Sequence, residues 1–350
     1  MRFAVMLPQT NRIASPDALV RVAEAAEEYG FHTVSVRDHI VFNGVWITSG
    51  MRGLDLPGDD RNIFEALMTL SFVAARTSRI RLGTSVVILP NRHPLLLAKQ
   101  LSTLDVLSGG RLLVGFGVGP NRKPGGSTDT TQLGHHRSNL QKEYDSFGGA
   151  IGHRGRRMDE YLEAVIALWT EERPSFDGEF VHFEEVDVFP KPVQKPYPPL
   201  LFGGRSTAAQ RRAARFGGGW IPSQVTTDEV REGVSEIGRL RDEMGGRAPL
   251  DYVGINMHSA FGRTDDEAEA FAQPTVGHLF ADRGSLVTRT IVGSVDTFRE
   301  RVRAYRDAGV NYIEVKPVYR SIDHCIEQLR LIRDEIMPAV TDGAPARSAS

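Results

Sequence analysis

AEEYGFHTVSV at residues 26–36 and YRDAGVNYIEV at residues 305–315 decide the fold. Each reads as the end of an amphipathic helix, a glycine stop (Gly30, Gly309) and a short β-rich run. A glycine just past a helix supplies the left-handed residue that ends it. The run that follows has the composition of a buried strand. AARFGGGWI at 213–221 is a shorter version of the same pattern. Helix, stop and strand in succession is the returning half of a βαβ unit, which builds parallel sheet.

Working outward, β-rich runs lie at 2–7, 33–36, 81–87, 112–117, 199–203, 219–222, 252–258 and 311–316, and a helical run follows most of them. Eight parallel strands with helical crossovers predict an α/β protein of the (β/α)8 TIM-barrel class. The first run leads into Pro8-Gln9-Thr10-Asn11 rather than G-x-G-x-x-G, which disfavours a dinucleotide-binding fold. Ser15 with Pro16 marks the first helix start. Capping boxes are expected at Asn62/Glu65, Thr226/Glu229 and Thr264/Glu267. Long insertions at 38–61, 118–155 and 259–293 follow strands 2, 4 and 7, on the C-terminal face where barrel active sites are built. Residues 176–180 read as a hairpin turn. One domain is expected over 1–340, and a disordered tail over 341–350.

The chain has 350 residues, 41% hydrophobic and 25% charged, which excludes fibrous and disordered classes. A net charge of −2 gives no reason to expect a nucleic-acid or membrane partner. No apolar run reaches the roughly 18 residues of a membrane helix, and the start breaks at Pro8 too soon for a signal peptide. A cytoplasmic location is expected. The single cysteine, Cys325, excludes an internal disulfide, and it is expected to be inert packing. His135-His136 has no third ligand spaced nearby, so no metal site is expected.

The candidate functional residues sit at the ends of β-rich runs. Asp38-His39 closes the second run and reads either as an acid/base or ligand-contacting pair, or as a cap beside a surface histidine. LGTSVVILP (82–90) carries small residues that permit close approach to the backbone. GGRLLVGFGVG (109–119) puts Gly115, Gly117 and Gly119 at alternate positions, leaving one strand face open for a planar ring. LLFGGRSTAAQRRAARFGGGW (200–220) runs from a strand through Gly203-Gly204 to Arg205-Ser206-Thr207 at a helix start, a phosphate site in kind. Arg211, Arg212 and Arg215 read as a solvated face.

MRFAVMLPQ (1–9), AEEYGFHTVSVRDH (26–39), RIRLGTSVVILPNRHPLLLAKQLSTLDVLSGGRL (79–112), GFGVG (115–119) and EYLEAVIALWTEERPSFDGEFVHFEEVDVFPKPVQ (160–194) carry a family resemblance, together with the 200–220 stretch. The chain resembles the bacterial luciferase-like flavin oxidoreductases, and more narrowly their coenzyme F420-dependent subgroup. The resemblance implies a barrel with insertions, a homodimer, and a flavin or deazaflavin ring at the C-terminal mouth. It implies catalytic roles for Asp38 and His39, with His39 touching the cofactor or taking a substrate proton. It implies a bulge at Ser85–Val86 that often holds a non-proline cis peptide under the ring. It places Val118 and Gly119 near the ring or its side chain, and Gly203, Gly204 and Ser223 around the cofactor phosphate.

The chain departs from the subgroup at Pro120 and in the extra residues 123–142. The implied activity is F420-dependent hydride transfer to or from a small organic substrate. The alternatives are an FMN-dependent monooxygenase that uses O2 and reduced flavin from a separate reductase, and a non-catalytic flavin-binding barrel. Phe42, Trp46, Met51 and Phe280 in the insertions hint at an apolar substrate.

Overall fold

The computed structural model describes residues 1–41, 61–119, 142–149, 151–245 and 250–341. Its strands are β1 (Arg2–Met6), β2 (Thr33–Val36), β3 (Arg81–Thr84), β4 (Val87–Ile88), β5 (Leu112–Gly117), β6 (Phe176–Asp177), β7 (His182–Phe183), β8 (Leu200–Gly203), β9 (Gly218–Ile221), β10 (Leu250–Phe261), β11 (Ile291–Gly293) and β12 (Tyr312–Pro317). The order β10-β12-β1-β2-β3-β5-β8-β9 returns to β10, which pairs with both β9 and β12. All these pairings are parallel. The eight-stranded barrel is therefore closed, with helices around it. β6 and β7 form the expected hairpin, Phe176 opposite Phe183.

Strand periodicity sorts the side chains. Along β12, Ile313 and Val315 pack outward into the main helix–sheet core, while Tyr312 joins a separate cluster with Ala4, Leu113, Leu201, Ile221 and Tyr252 inside the barrel. Along β10, Val253, Ile255 and Met257 belong to the outer core in the same way. Alternation then turns Tyr312, Glu314 and Lys316 inward from β12, and Tyr252, Asn256 and His258 inward from β10. Gly30 (φ 77°) and Gly309 (φ 99°) end their helices in the left-handed conformation, as their sequence positions predict. Cys325 is fully buried in helix Ile322–Leu331, and burial pushes its thiol up to about 12.

The structure corrects several expectations. The third run is two strands, β3 and β4, separated by a cis Ser85–Val86 peptide, and both pair with β5. Residues 259–293 are not a loop. β10 continues to Phe261 and pairs with β11, and helices Asp265–Val276 and Arg283–Thr288 lie between them. Ala268, Ala272, Val276, Phe280 and Leu286 bury a small core of their own there, so Phe280 is packing rather than a wall of the mouth.

The cap of helix Ala66–Ala74 is Glu65, which accepts from Met68 N at 2.7 Å; Asn62 does not cap it. Gln9 and Phe64 exchange hydrogen bonds, and Thr10 bridges Ile63, so residues 62–64 stay extended and the helix starts late. Thr226/Glu229 forms the full capping box, whereas Thr264 caps Glu267 N while the Glu267 carboxylate goes to Arg263. Arg212 is buried and holds Asp159 through two bonds (2.6 and 3.1 Å), joining two helices rather than facing solvent. Phe42, Trp46, Met51, Pro120, His135, His136 and the tail from 342 lie outside the described residues. Among the described residues no helix is long and apolar enough to cross a membrane.

Candidate active site

The end of β2 places two adjacent residues in opposite roles. The Asp38 carboxylate is buried and accepts from Ile88 N (3.0 Å), Arg92 Nε (3.0 Å) and Arg92 Nη2 (2.6 Å). Arg92 also reaches Glu65 Oε1 at 2.6 Å. Fork-to-fork geometry of this kind fixes both partners, and removing one from a buried pair typically costs about 3–5 kcal/mol. Both Asp38 oxygens are engaged in tying β2 to β4. The carboxylate expected to act in catalysis is thus bonded at both oxygens to Arg92 and Ile88 N.

His39 has the different fate. Its Nδ1 lies 3.2 Å from Glu143 Oε2, and the other Glu143 oxygen accepts from Ile40 N at 2.8 Å. Glu143 is 2% exposed. A buried carboxylate fixed by a backbone N–H and bonded to one ring nitrogen orients the imidazole. Next to it, Tyr144 is buried and donates to Val118 O at 3.0 Å. Sequence reading did not single out Glu143, although it opens the stretch EYDSFG (143–148). No spacing rule links it to a histidine more than 100 positions earlier.

The glycines of β5 do a different job from the one expected. A Cβ on Gly115 would sit 2.1 Å from Thr84 O and 3.1 Å from Val86 Cγ1, and one on Gly117 would sit 2.6 Å from Val86 Cγ2. Gly203 likewise faces Val86 at 3.0 Å. The open strand face is filled by the chain's own bulge, which is thereby held as a half-buried platform at the mouth. Thr84 completes the seat: its hydroxyl donates to Gly115 O and accepts from Gly115 N.

Beneath the platform lies a polar network that sequence reading did not single out. Asn256 Nδ2 donates to Ser85 Oγ (2.9 Å) and to Glu314 Oε1. Ser223 Oγ donates to Asn256 O at 3.2 Å. Asn256 and Glu314 are 4% and 1% exposed, and burial pushes the Glu314 carboxyl up from its ordinary value. The signal available in the sequence was a polar residue at an inward position of a strand, visible only once the strand faces are known.

The strand–helix turn after β8 is exposed at Gly204, Arg205 and Ser206. Gly204 (φ 108°) takes a backbone shape suited to glycine, and its carbonyl accepts from Trp220 Nε1 at 2.8 Å. Ser206 Oγ caps helix Thr207–Phe216 by accepting from Ala209 N. Arg205 approaches Glu229 at 3.8 Å and remains more than half exposed. A flat platform, an oriented histidine and an exposed helix start on one barrel rim suit a planar ring with an anionic tail. Gly119 (φ 70°) lies at the end of the described part of that rim.

The comparisons agree with this architecture. The family model described as luciferase-like monooxygenase matches residues 1–312. An uncharacterised protein of Mycobacterium tuberculosis is 36% identical over 238 residues, 65% of this chain and 75% of that one. An F420-dependent glucose-6-phosphate dehydrogenase of Segniliparus rotundus is 28% identical over 345 residues, 91% of each chain. The crystal structure of monooxygenase RslO1 from Streptomyces bottropensis superposes with a TM-score of 0.74 at 24% identity, covering 97% of this chain and 99% of that one. The matched span takes in the platform, His39, Glu143 and the exposed turn, and so this oxidoreductase belongs to the luciferase-like monooxygenase family.

Proposed function

We propose that the chain transfers a hydride between coenzyme F420 and a small organic substrate, with His39 exchanging the accompanying proton. The observation that carries this reading is the His39–Glu143 pair at the barrel mouth. Hydride transfer to a carbonyl, or from an alcohol, requires one proton to arrive at or leave the substrate oxygen. Glu143 holds the ring through Nδ1, and the imidazole so oriented is the acid/base we assign to that proton. When bound, the deazaflavin supplies the hydride chemistry. Ser85 and Val86 would back the ring, Val118 and Gly119 would border it, and Gly203 to Ser206 with Ser223 would hold its anionic tail. The F420-dependent relative from Segniliparus rotundus supports the choice of cofactor.

The second reading is an FMN-dependent monooxygenase supplied by a separate reductase, favoured by the monooxygenase likeness of the fold. Parallel titration of cofactor-free protein with F420 and with FMN decides between them. Submicromolar F420 binding with weak FMN binding supports hydride transfer. The reverse supports the monooxygenase, and binding of neither supports a non-catalytic barrel. With a turned-over substrate in hand, His39→Ala is expected to lower kcat by about 10²–10⁴-fold. Unchanged turnover would remove His39 from the mechanism.

A homodimer is part of the same proposal. Met68 and Phe72 on helix Ala66–Ala74 are exposed, as are Leu96 and Leu107 on the adjacent helix Pro94–Leu107. An exposed apolar face of this kind is what a subunit contact covers. Sedimentation at micromolar concentration is expected to give twice the chain mass, and Phe72→Glu is expected to halve it.

A further inference from the structure

We infer that Asn256 is a positioning residue that couples two parts of the barrel mouth: the Ser85–Val86 platform and the Pro222–Gln224 segment that follows β9. The inference rests on the reading above, in which the platform backs the ring and Ser223 meets the tail. Ser85, Val86 and Ser223, at the C-terminal ends of their strands, are half-buried. Asn256 lies beneath them and is 4% exposed.

The amide nitrogen is fully committed. Nδ2 carries two hydrogens: one goes to Ser85 Oγ at 2.9 Å and the other to Glu314 Oε1. Glu314 is buried on β12, opposite Asn256 in the β10–β12 register, so the amide is held from its own sheet as well. The backbone of Asn256 holds the segment after β9. Its N–H donates to Pro222 O at 3.0 Å, its carbonyl accepts from Gln224 N at 3.2 Å, and residues 223 and 256 form a parallel bridge. One residue of β10 thus bonds the bulge after β3, the exit of β9 and the inner face of β12.

The platform has two supports of different kind. Val86 packs on Gly115, Gly117 and Gly203, and apolar packing is non-directional. The bond from Asn256 to Ser85 is directional, so it sets the orientation of the platform. The Ser223 hydroxyl is the movable member of the group. Its single hydrogen is shared between Asn256 O at 3.2 Å and Asn256 Oδ1 at 3.4 Å, both long for an O–H donor. A ligand oxygen at the usual distance of about 2.7–2.8 Å would take that hydrogen. Asn256 O would keep its bond from Gln224 N, while Oδ1 of the same amide that holds Ser85 would lose its contact. Engagement at Ser223 is therefore transmitted to Ser85 through one side chain.

The test is amide hydrogen exchange on the cofactor-free full-length protein, read in residues 82–90 and 219–226. Asn256→Ala is expected to speed exchange about fivefold or more in both segments together, with helix Pro16–Glu28 unaltered. Faster exchange in one segment only, in neither, or equally throughout the barrel overturns the inference. The second readout is titration with F420 and with FMN. Whichever of the two the wild type binds is expected to bind Asn256→Ala about tenfold more weakly. Unchanged affinity in the folded variant overturns the inference. If Asn256→Ala does not fold, Asn256→Asp takes its place: the side chain keeps its size but offers Glu314 no donor, so the same two effects are expected. Exchange is measured without ligand, so a wild type that binds neither cofactor sinks the functional reading alone, and the exchange result still decides the role of Asn256.

Discussion

The two ends of the barrel use the same strands for opposite purposes. At the N-terminal end, Tyr252 and Tyr312 meet edge to face at 5.5 Å and pack with Ala4, Leu113 and Leu201. His32 stands against both rings, and the Arg2 guanidinium lies 4.5 Å over Tyr252. At the C-terminal end, the same strands present Ser85, Asn256, His258, Glu314 and Lys316. One or two steps along β12 convert an aromatic plug into a charged lining. The plug fixes barrel closure, so the mouth can carry buried polar groups that, the Asp38–Arg92 pair aside, contribute little to stability by themselves.

That contrast is open to test. Tyr312→Ala removes a ring from the centre of the plug and is expected to cost about 3–5 kcal/mol, as large-to-small aromatic changes do. Urea denaturation measures it, and the folded fraction is expected to bind cofactor normally. A comparable loss of stability from Asn256→Ala, at an inward mouth position outside the Asp38–Arg92 pair, would break the comparison.

His32 gives the next effect. Burial, then Arg2 and Arg81, lower its pKa to about 4 from the ordinary 6.5. The unfolded chain takes up the proton below 6.5 while the folded chain resists until about 4, so stability is expected to fall as pH drops through that window. The loss is at most about 3 kcal/mol. His32→Gln is expected to flatten that part of the pH–stability curve, and an unaltered slope would mean that His32 titrates normally in the fold.

Glu314→Gln sharpens the contrast from the other end. The amide matches the neutral carboxyl in volume, so the expected cost is below about 1.5 kcal/mol. Cofactor affinity is expected to change more than stability, because one carboxyl oxygen becomes an NH2 donor beside the Asn256–Ser85 network under the platform. A large fall in melting temperature with normal cofactor binding would assign Glu314 to the scaffold instead.

Much of the fold was legible because the signals are local. Glycine stops, Pro16 after Ser15 and period-two runs act within a few residues, so β2, β12 and the closing eight-strand count followed from them. Residues 259–293 differ from the expected loop because a long polar stretch hides two short helices, whose apolar residues form a small separate core with Ala260, Val292 and Val318. At the site, Asp38 and His39 were found by position, but their separate fates depend on Arg92 and Glu143, distant in sequence.

The sequence by itself determined the alternation of helix and strand, the barrel that alternation closes into, and the residues that end each strand. Those are consequences of backbone preference and side-chain periodicity. Only the tertiary structure decided that Val86 fills the glycine face of β5, that Asp38 is tied to Arg92, and that Arg37, His258 and Lys316 share one cavity. The reason is geometric. A closed barrel brings inward positions from its first, second, seventh and last strands within bonding distance, and nothing in the order of residues along the chain encodes that proximity.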